Sequence, residues 1–216
     1  MKYFETLPVI ARDNPNNDYK IAAINLLARV SIVPELLNNP SLYYTYDIQE
    51  GDTPEIIASK YYNDPYRYWI VLFANQLLDP QWDWPKTYDQ FNNYLIDKYS
   101  AAAANVSMEP IAYTQVTNYE YRKIITTIDS TTSNTTIDKY VVDYATYANT
   151  VPTTETVVFT PNKYNNYATV TYEIAKEDVT IYEWEQEQNE KRRTIRILNS
   201  LYVGQFEQQF SYLMNI

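Results

Sequence analysis

Carboxylates are the chain's main supply of reactive groups, 27 Asp and Glu among 216 residues. Two of them at a suitable separation can work as an acid-base pair, but nothing in their spacing selects such a pair. Histidine and cysteine are both missing, which removes the commonest general base, disulfides, thiol nucleophiles and cysteine-zinc sites. The chain has only two glycines and no phosphate-cradling Gly-rich loop, and neither a nucleophile elbow nor a metal-ligand cluster occurs. The expectation is therefore no catalytic residue, no metal, no cofactor and no enzyme. What remains are groups that act by contact. Trp82 and Trp84 flank Asp83 in the turn-rich segment LDPQWDWP, where large aromatics are either core plugs or contact anchors. Lys191, Arg192, Arg193 and Arg196 follow the acidic run Glu183, Glu185, Glu187 and Glu190. This basic cluster is either consumed by pairing along a helix or available for docking a partner.

The 45% hydrophobic content is enough for a core in one domain or two small ones. A formal charge of -10 and a pI near 4.5 argue against gripping nucleic acid or an anionic membrane, leaving proteins or neutral sugars as partners. Twenty-four tyrosines supply rings that fill a core or are buried against a partner. No apolar run of signal-peptide length opens the chain, and no segment reaches the roughly 18 apolar residues that a membrane span needs.

Elements follow from periodicity and punctuation. Residues 1–41 read as an extended arm rich in Pro and Asn, in which either Ile21, Ile24, Leu26 and Leu27 share one side of a short helix or RVSIV alternates as a strand, the pattern leaving both open. Tyr44, Tyr46 and Ile48 alternate with polar residues as a half-buried strand. Gly51 permits the turn, Thr53 caps a helix that starts at Pro54, and Ile56, Ile57 and Tyr61 face inward. Asp64 and Pro65 repeat that grammar before a helix with the stripe Trp69, Ile70, Phe73 and Leu77. A third helix is expected from Thr87, with Gln90 at capping-box spacing and Tyr88, Phe91, Leu95 and Tyr99 on one face. SAAAANVSMEP is a connector or extends that helix. From Ile111 to about Val179 the composition turns to Thr, Tyr, Val and Asn, with strand-like AYTQV, YEYRKIITTI and NYATVTYEI, and STTSNTT as a hairpin tip or mobile loop. A charged helix follows from about Tyr182 to Arg192. Then comes RTIRIL with Ile195 and Ile197 alternating, and last a helix capped by Ser200 with the stripe Val203, Phe206, Phe210 and Leu213.

The order YDIQEGDTPEIIASKYY, Trp69, Ala74-Asn75 resembles a LysM domain, the small βααβ module of many cell-wall binding proteins, over about 35 residues. The usual closing strand is absent after Asn75. More broadly, the LysM-like module after an N-terminal arm, the aromatic YRYWIVLFANQLLDPQWDWP, the helix ending YLIDKY and the tail YEWEQEQNEKRRTIRILNSLYVGQFEQQF look like the baseplate wedge subunit of contractile-tailed bacteriophages, the gene 53 product family. That resemblance implies a structural virion protein, made in the host cytoplasm, whose LysM-like part is a joint between wedge components in a ring-like assembly. In the glycan-binding LysM family the ligand groove would correspond here to Gly51, Asp52, Thr53 and Pro54 on one side and Asn75, Gln76, Leu77 and Leu78 on the other. Turn and cap chemistry accounts for the same residues and is the preferred reading.

The expected architecture is α+β. It comprises an arm (1–41), a LysM-like βαα(β) module with an extra helix (42–100), a β-rich insertion or small second domain (101–180), and a C-terminal helix-strand-helix (181–216). RTIRIL is expected to return beside YTYDIQ and supply the missing strand, because an isolated βαα unit leaves an unpaired edge. The expected function is a structural baseplate wedge protein with partner contacts from Trp82, Trp84, Arg192, Arg193, Phe206 and Phe210. The alternative is peptidoglycan binding through acetylated glycans.

Overall fold

The computed structural model describes residues 2–13, 19–28, 30–130, 132–159 and 168–215. They fall into two compact units, Met1–Thr87 with Asn189–Ile216, and Tyr88–Gln188. In chain order the first unit begins with a 3-10 turn (Tyr3–Thr6), strands β1 (Val9–Asp13) and β2 (Lys20–Ile24), helix α1 (Pro34–Leu37), strand β3 (Tyr43–Asp47) and helix α2 (Pro54–Tyr62). A 3-10 turn (Pro65–Arg67) then leads into α3 (Tyr68–Ala74) and the short α4 (Pro80–Asp83). The second unit holds α5 (Tyr88–Asn105), α6 (Pro110–Val116), β4 (Asn118–Asp129), β5 (Asn134–Val142), α7 (Tyr144–Asn149), β6 (Thr153–Phe159) and β7 (Ala168–Thr180). Helix α8 (Ile181–Lys191) carries the chain back to β8 (Thr194–Leu198) and α9 (Ser200–Met214).

Strand β3 pairs antiparallel with β8, Tyr44 opposite Ile197 and Tyr46 opposite Ile195, so RTIRIL does return beside YTYDIQ. Ile57, Ile70, Val71 and Ile197 are fully buried around this two-stranded sheet. Trp69 closes the core from α3, its ring 4.6 Å from Phe210 and 5.9 Å from Phe206 of α9. Tyr3 stacks into the same group, 5.8 Å from Phe210, and Leu7 is buried beside it. Each such aromatic pair adds about 1 kcal/mol beyond area burial. Burial pushes the Tyr62 phenol up. Its hydroxyl has no hydrogen-bond partner among the described residues.

Caps follow the sequence in α2 and in the Asp64 turn. The Thr53 side chain accepts from the Ile56 N–H, and Asp64 accepts from the Tyr66 N–H. Several expected faces are rotated by one residue. In α2 the buried positions are Ile57, Ala58 and Tyr62, while Ile56 and Tyr61 are exposed, because the buried Pro54 sets the inward direction one residue on. In α9 Met214 takes the place expected for Leu213, and the cap is Asn199, which accepts from the Leu201 N–H, leaving Ser200 as the first helical residue. Tyr44 is exposed, with its hydroxyl bonded to the Asn199 amide at 2.8 Å, and Tyr88 at the start of α5 is exposed too. Leu77 lies beyond the end of α3.

The arm is not a plain extended segment. Residues 20–24, where Ile21 and Ile24 were expected on a short helix, form a strand instead, in a hairpin with β1 and with Val9 opposite Ile24, and Val30–Val33 of RVSIV, expected to alternate as a strand, carry none; Arg29 lies outside the described residues.

The second unit is built on an antiparallel sheet of order β5-β4-β7-β6. The alanines of SAAAANVSMEP extend α5 to Asn105. AYTQV, expected as strand, lies in α6, which Pro110 starts at a position where the missing N–H costs nothing. Helix α7, unforeseen, is capped by Asp143, which accepts from the Thr146 N–H. STTSNTT joins β4 to β5 in a hairpin, Thr131 lying outside the described residues, as do Asn166 and Tyr167 of NYATVTYEI. Two buried charged groups hold this unit. Glu185 accepts from Lys98 at 2.6 Å and from the Tyr99 hydroxyl at 2.7 Å, and Arg122 grips Glu187 through both terminal nitrogens, at 2.7 and 2.9 Å. Burial and the Glu185 bond push the Tyr99 phenol up to about 12.

Ile197→Ala should cost about 3 kcal/mol in urea denaturation, the range for a fully buried aliphatic residue. A loss under about 1 kcal/mol would show that the β3-β8 seam is not the core of the first unit.

Candidate functional site

Gly51 ends the β3-to-α2 turn at φ +84, in the left-handed region that side chains avoid. An added Cβ would meet no atom within 4 Å, so the demand is for backbone conformation rather than space. Asp52 next to it is saturated. Its carboxylate accepts from the Tyr46 hydroxyl at 2.5 Å, the Gln49 N–H at 3.1 Å and the Lys60 ammonium at 2.8 Å, and its side chain is 7% exposed. Burial alone would raise this carboxyl, but the bonds from Lys60 and Tyr46 hold it below the usual carboxylate value. The Asp52 carbonyl accepts from the Trp84 indole at 3.0 Å. Thr53 caps α2, and Pro54 is buried as its first residue.

On the other side of the expected groove, Asn75 is equally committed. Its amide nitrogen donates to the Val71 carbonyl at 2.8 Å and to the Arg196 carbonyl at 2.7 Å, and its oxygen accepts from the Arg196 N–H at 2.8 Å. Arg196 lies between residues whose backbone groups face β3. The bonds Ile48 N–H to Arg193 O and Asn199 N–H to Leu42 O set that alternation, so the N–H and C=O of Arg196 point to the outer edge of β8. A single carboxamide there substitutes for a neighbouring strand. Gln76 takes a positive φ of 56 to end α3, and the Leu77 N–H donates back to the Leu72 carbonyl. Leu78 is 89% exposed.

The two loop tryptophans divide. Trp84 packs against the core cluster with its indole N–H on Asp52, which makes it a plug. Trp82 is 56% exposed and has the Lys86 ammonium 5.8 Å from its ring centre. Trp82 lies in the short helix α4 rather than in the expected loop, and that helix is tied down at its backbone, where the Arg192 guanidinium donates to the Trp82 carbonyl at 2.6 Å. Arg193 pairs with Glu190 at 2.8 Å and reaches Glu50 at 3.5 Å. That Glu190 contact is a pairing along the helix, whereas Glu183 bonds Thr180, Glu185 bonds Lys98 and Glu187 bonds Arg122. Arg196 donates to the Leu37 carbonyl at 2.6 Å. Phe210 is buried in the core cluster and is not a surface contact, and Phe206 is half-buried against it.

The arrangement joins Asp52 to Trp84 and Asn75 to Arg196, and leaves Leu78 and Trp82 outward. The Asp52 carboxylate, the Asn75 carboxamide and the Trp84 indole are each engaged in internal hydrogen bonds. No cluster of three or more Asp or Glu suited to a metal ion occurs among the described residues. Sequence reasoning missed Tyr46, Lys60 and Arg196 as the partners that occupy Asp52 and Asn75. The Asn75 contact joins the end of α3 to the outer edge of β8, the Asp52 contacts join the turn to β3 and α2, and no local pattern marks them. A family model described as Base plate wedge protein 53 matches residues 39–213. Among curated proteins, none matches the chain.

Asn75→Ala leaves two backbone groups of Arg196 unpaired and should cost about 2 kcal/mol by chemical denaturation. Because the Asp52 pKa is depressed on folding, its contribution to stability is present above the ordinary value of 3.8 and is lost as pH falls through the lower folded value. The stability gap between the natural chain and Asp52→Asn should therefore be full at neutral pH and close in acid; a gap independent of pH would remove Asp52 from the account.

Proposed function

The chain belongs to the base plate wedge protein 53 family, and from that premise we propose that it joins neighbouring wedge proteins of a phage tail baseplate through a LysM-like docking module. Its structural role in the baseplate follows from the family match over residues 39–213. The strand-helix-helix order of β3, α2 and α3 with the returning β8 supports the LysM-like reading. So does the placement of Gly51-Asp52-Thr53-Pro54 at the strand-to-helix turn.

The observation that carries the docking reading is the exposure of Leu78 and Trp82, before and within α4, on a segment whose backbone and neighbouring Trp84 are fixed. A preordered apolar anchor loses little entropy on binding, and exposed tryptophan on a rigid support is the usual composition of an energetic hot spot. Stable subunit contacts bury about 1,200 Å² or more, so the loop acts together with further surface, including the terminal segments. The partners are other baseplate wedge proteins, with multiple copies of the chain in a ring. The protein is made in the host cytoplasm, carried in the virion and not an enzyme.

Glycan recognition is the weaker reading because the side chains it would use, Asp52 and Asn75, are spent on Tyr46, Lys60 and Arg196. The test is reconstitution with the other wedge proteins of the same phage. Leu78→Asp with Trp82→Ala should weaken co-assembly by about 2 kcal/mol or more, roughly 30-fold, with the melting temperature unchanged. Saturable binding to purified peptidoglycan, with no affinity for wedge proteins, would overturn the proposal in favour of the glycan module.

A further inference from the structure

Two strand edges in the first unit are left open, and they match each other. The alternation set by Ile48 and Arg193 turns the N–H and C=O groups of Tyr43, Thr45 and Asp47 away from β8. In the hairpin, the bond from the Asn25 N–H to the Pro8 carbonyl sets the same alternation and turns the groups of Lys20, Ala22 and Ile24 outward on β2. Among the described residues, no hydrogen bond reaches the backbone of Thr45 or the outward groups of Ala22. The Asp47 carbonyl takes one bond from the Gln49 side chain and the Ile24 carbonyl one from the Leu26 N–H, and each carbonyl keeps a second lone pair.

We propose that β2 of one copy adds antiparallel to the free edge of β3 in a second copy of this chain. The register places Lys20 opposite the second copy's Asp47, Ala22 opposite its Thr45 and Ile24 opposite its Tyr43. All three are then hydrogen-bonded pairs, because every outward residue of one strand meets an outward residue of the other. Intervening positions place Ile21 beside Tyr46 and the small Ala23 beside the exposed Tyr44. Adding β1 instead in the matching antiparallel register would set Asp13 against Tyr43 and Val9 against Asp47, with no opposite charges facing. The charge match therefore selects β2.

The driving force is the state of the hairpin. All but one of its ten strand residues are exposed, its aliphatic side chains lie on both faces, and five-residue strands in isolation are marginal in water. Its base is held, with Leu7 buried and Ala28 packed on the core cluster, yet its sheet stays separate from β3-β8 within one chain. Pairing between copies turns two two-stranded sheets into one of four strands, β1-β2-β3-β8. Long-range repulsion opposes it little, since the first unit carries only -2 (11 Lys and Arg against 13 Asp and Glu) of the chain's -10. The hairpin precedes the residues matched to the family, and this self-association is independent of docking to wedge proteins.

Sedimentation equilibrium of the purified full chain across a dilution series tests it. The natural chain should self-associate. Lys20→Glu and Asp47→Lys should each raise the dissociation constant about tenfold, and the double variant should return it to near the natural value. Far-UV circular dichroism and melting confirm that each variant is folded. Lys20→Glu lies on the exposed hairpin away from the core, so it remains informative if Asp47→Lys fails to fold. A monomer at every concentration, or an oligomer indifferent to these reversals, overturns the proposal.

Discussion

Antiparallel pairing of β3 with β8 is the constraint on which the first unit depends. A β-strand followed by two helices leaves backbone donors and acceptors along one strand with nothing to bond, and the helices with half a surface to cover. Strand β8 satisfies the first need through its register with Tyr43–Asp47 and the second by adding Ile195, Ile197 and Leu198 to the core. Helix α9 follows immediately and brings Phe206 and Phe210 onto Trp69. One pairing thus places two layers.

A two-stranded sheet still has two outer edges, and the chain treats them differently. The β8 edge is met by the Asn75 carboxamide, which is rigid because it sits at the end of α3 and also holds the Val71 carbonyl. On the β3 edge, no hydrogen bond among the described residues reaches the backbone of Thr45. The same asymmetry governs the loops beside the sheet. Asp52 and Trp84 lock one to the other, and the apolar side chains that remain outside, Leu78 and Trp82, stand on a support that does not have to order when it meets a partner.

Charge is distributed by a related logic. The second unit carries -8 of the formal -10, and its most buried ionic groups are individually answered, Glu185 by Lys98 and two tyrosines and Arg122 by Glu187 and Glu120. Removing one partner would strand a charge in a dry setting, so these networks hold the packing of α5, α8 and β4 to one arrangement.

Local chemistry was legible in the sequence wherever a residue's own backbone preference decides the outcome. Gly51 at its turn, Thr53 and Pro54 opening α2, Asp64 and Pro65 opening the 3-10 turn ahead of α3, and the alternation of Ile195 and Ile197 all act through near neighbours, and composition alone removed histidine, cysteine and Gly-loop chemistry. Faces and partners were decided only by tertiary packing. Ile57 rather than Ile56 turns inward because the core lies one residue further round, and Trp84 rather than Trp82 is half-buried on the core, its indole bonded to the Asp52 carbonyl. Arg196 finds Asn75 across most of the chain's length. Period and capping are properties of a segment; which side of that segment is dry is a property of what the rest of the chain brings against it.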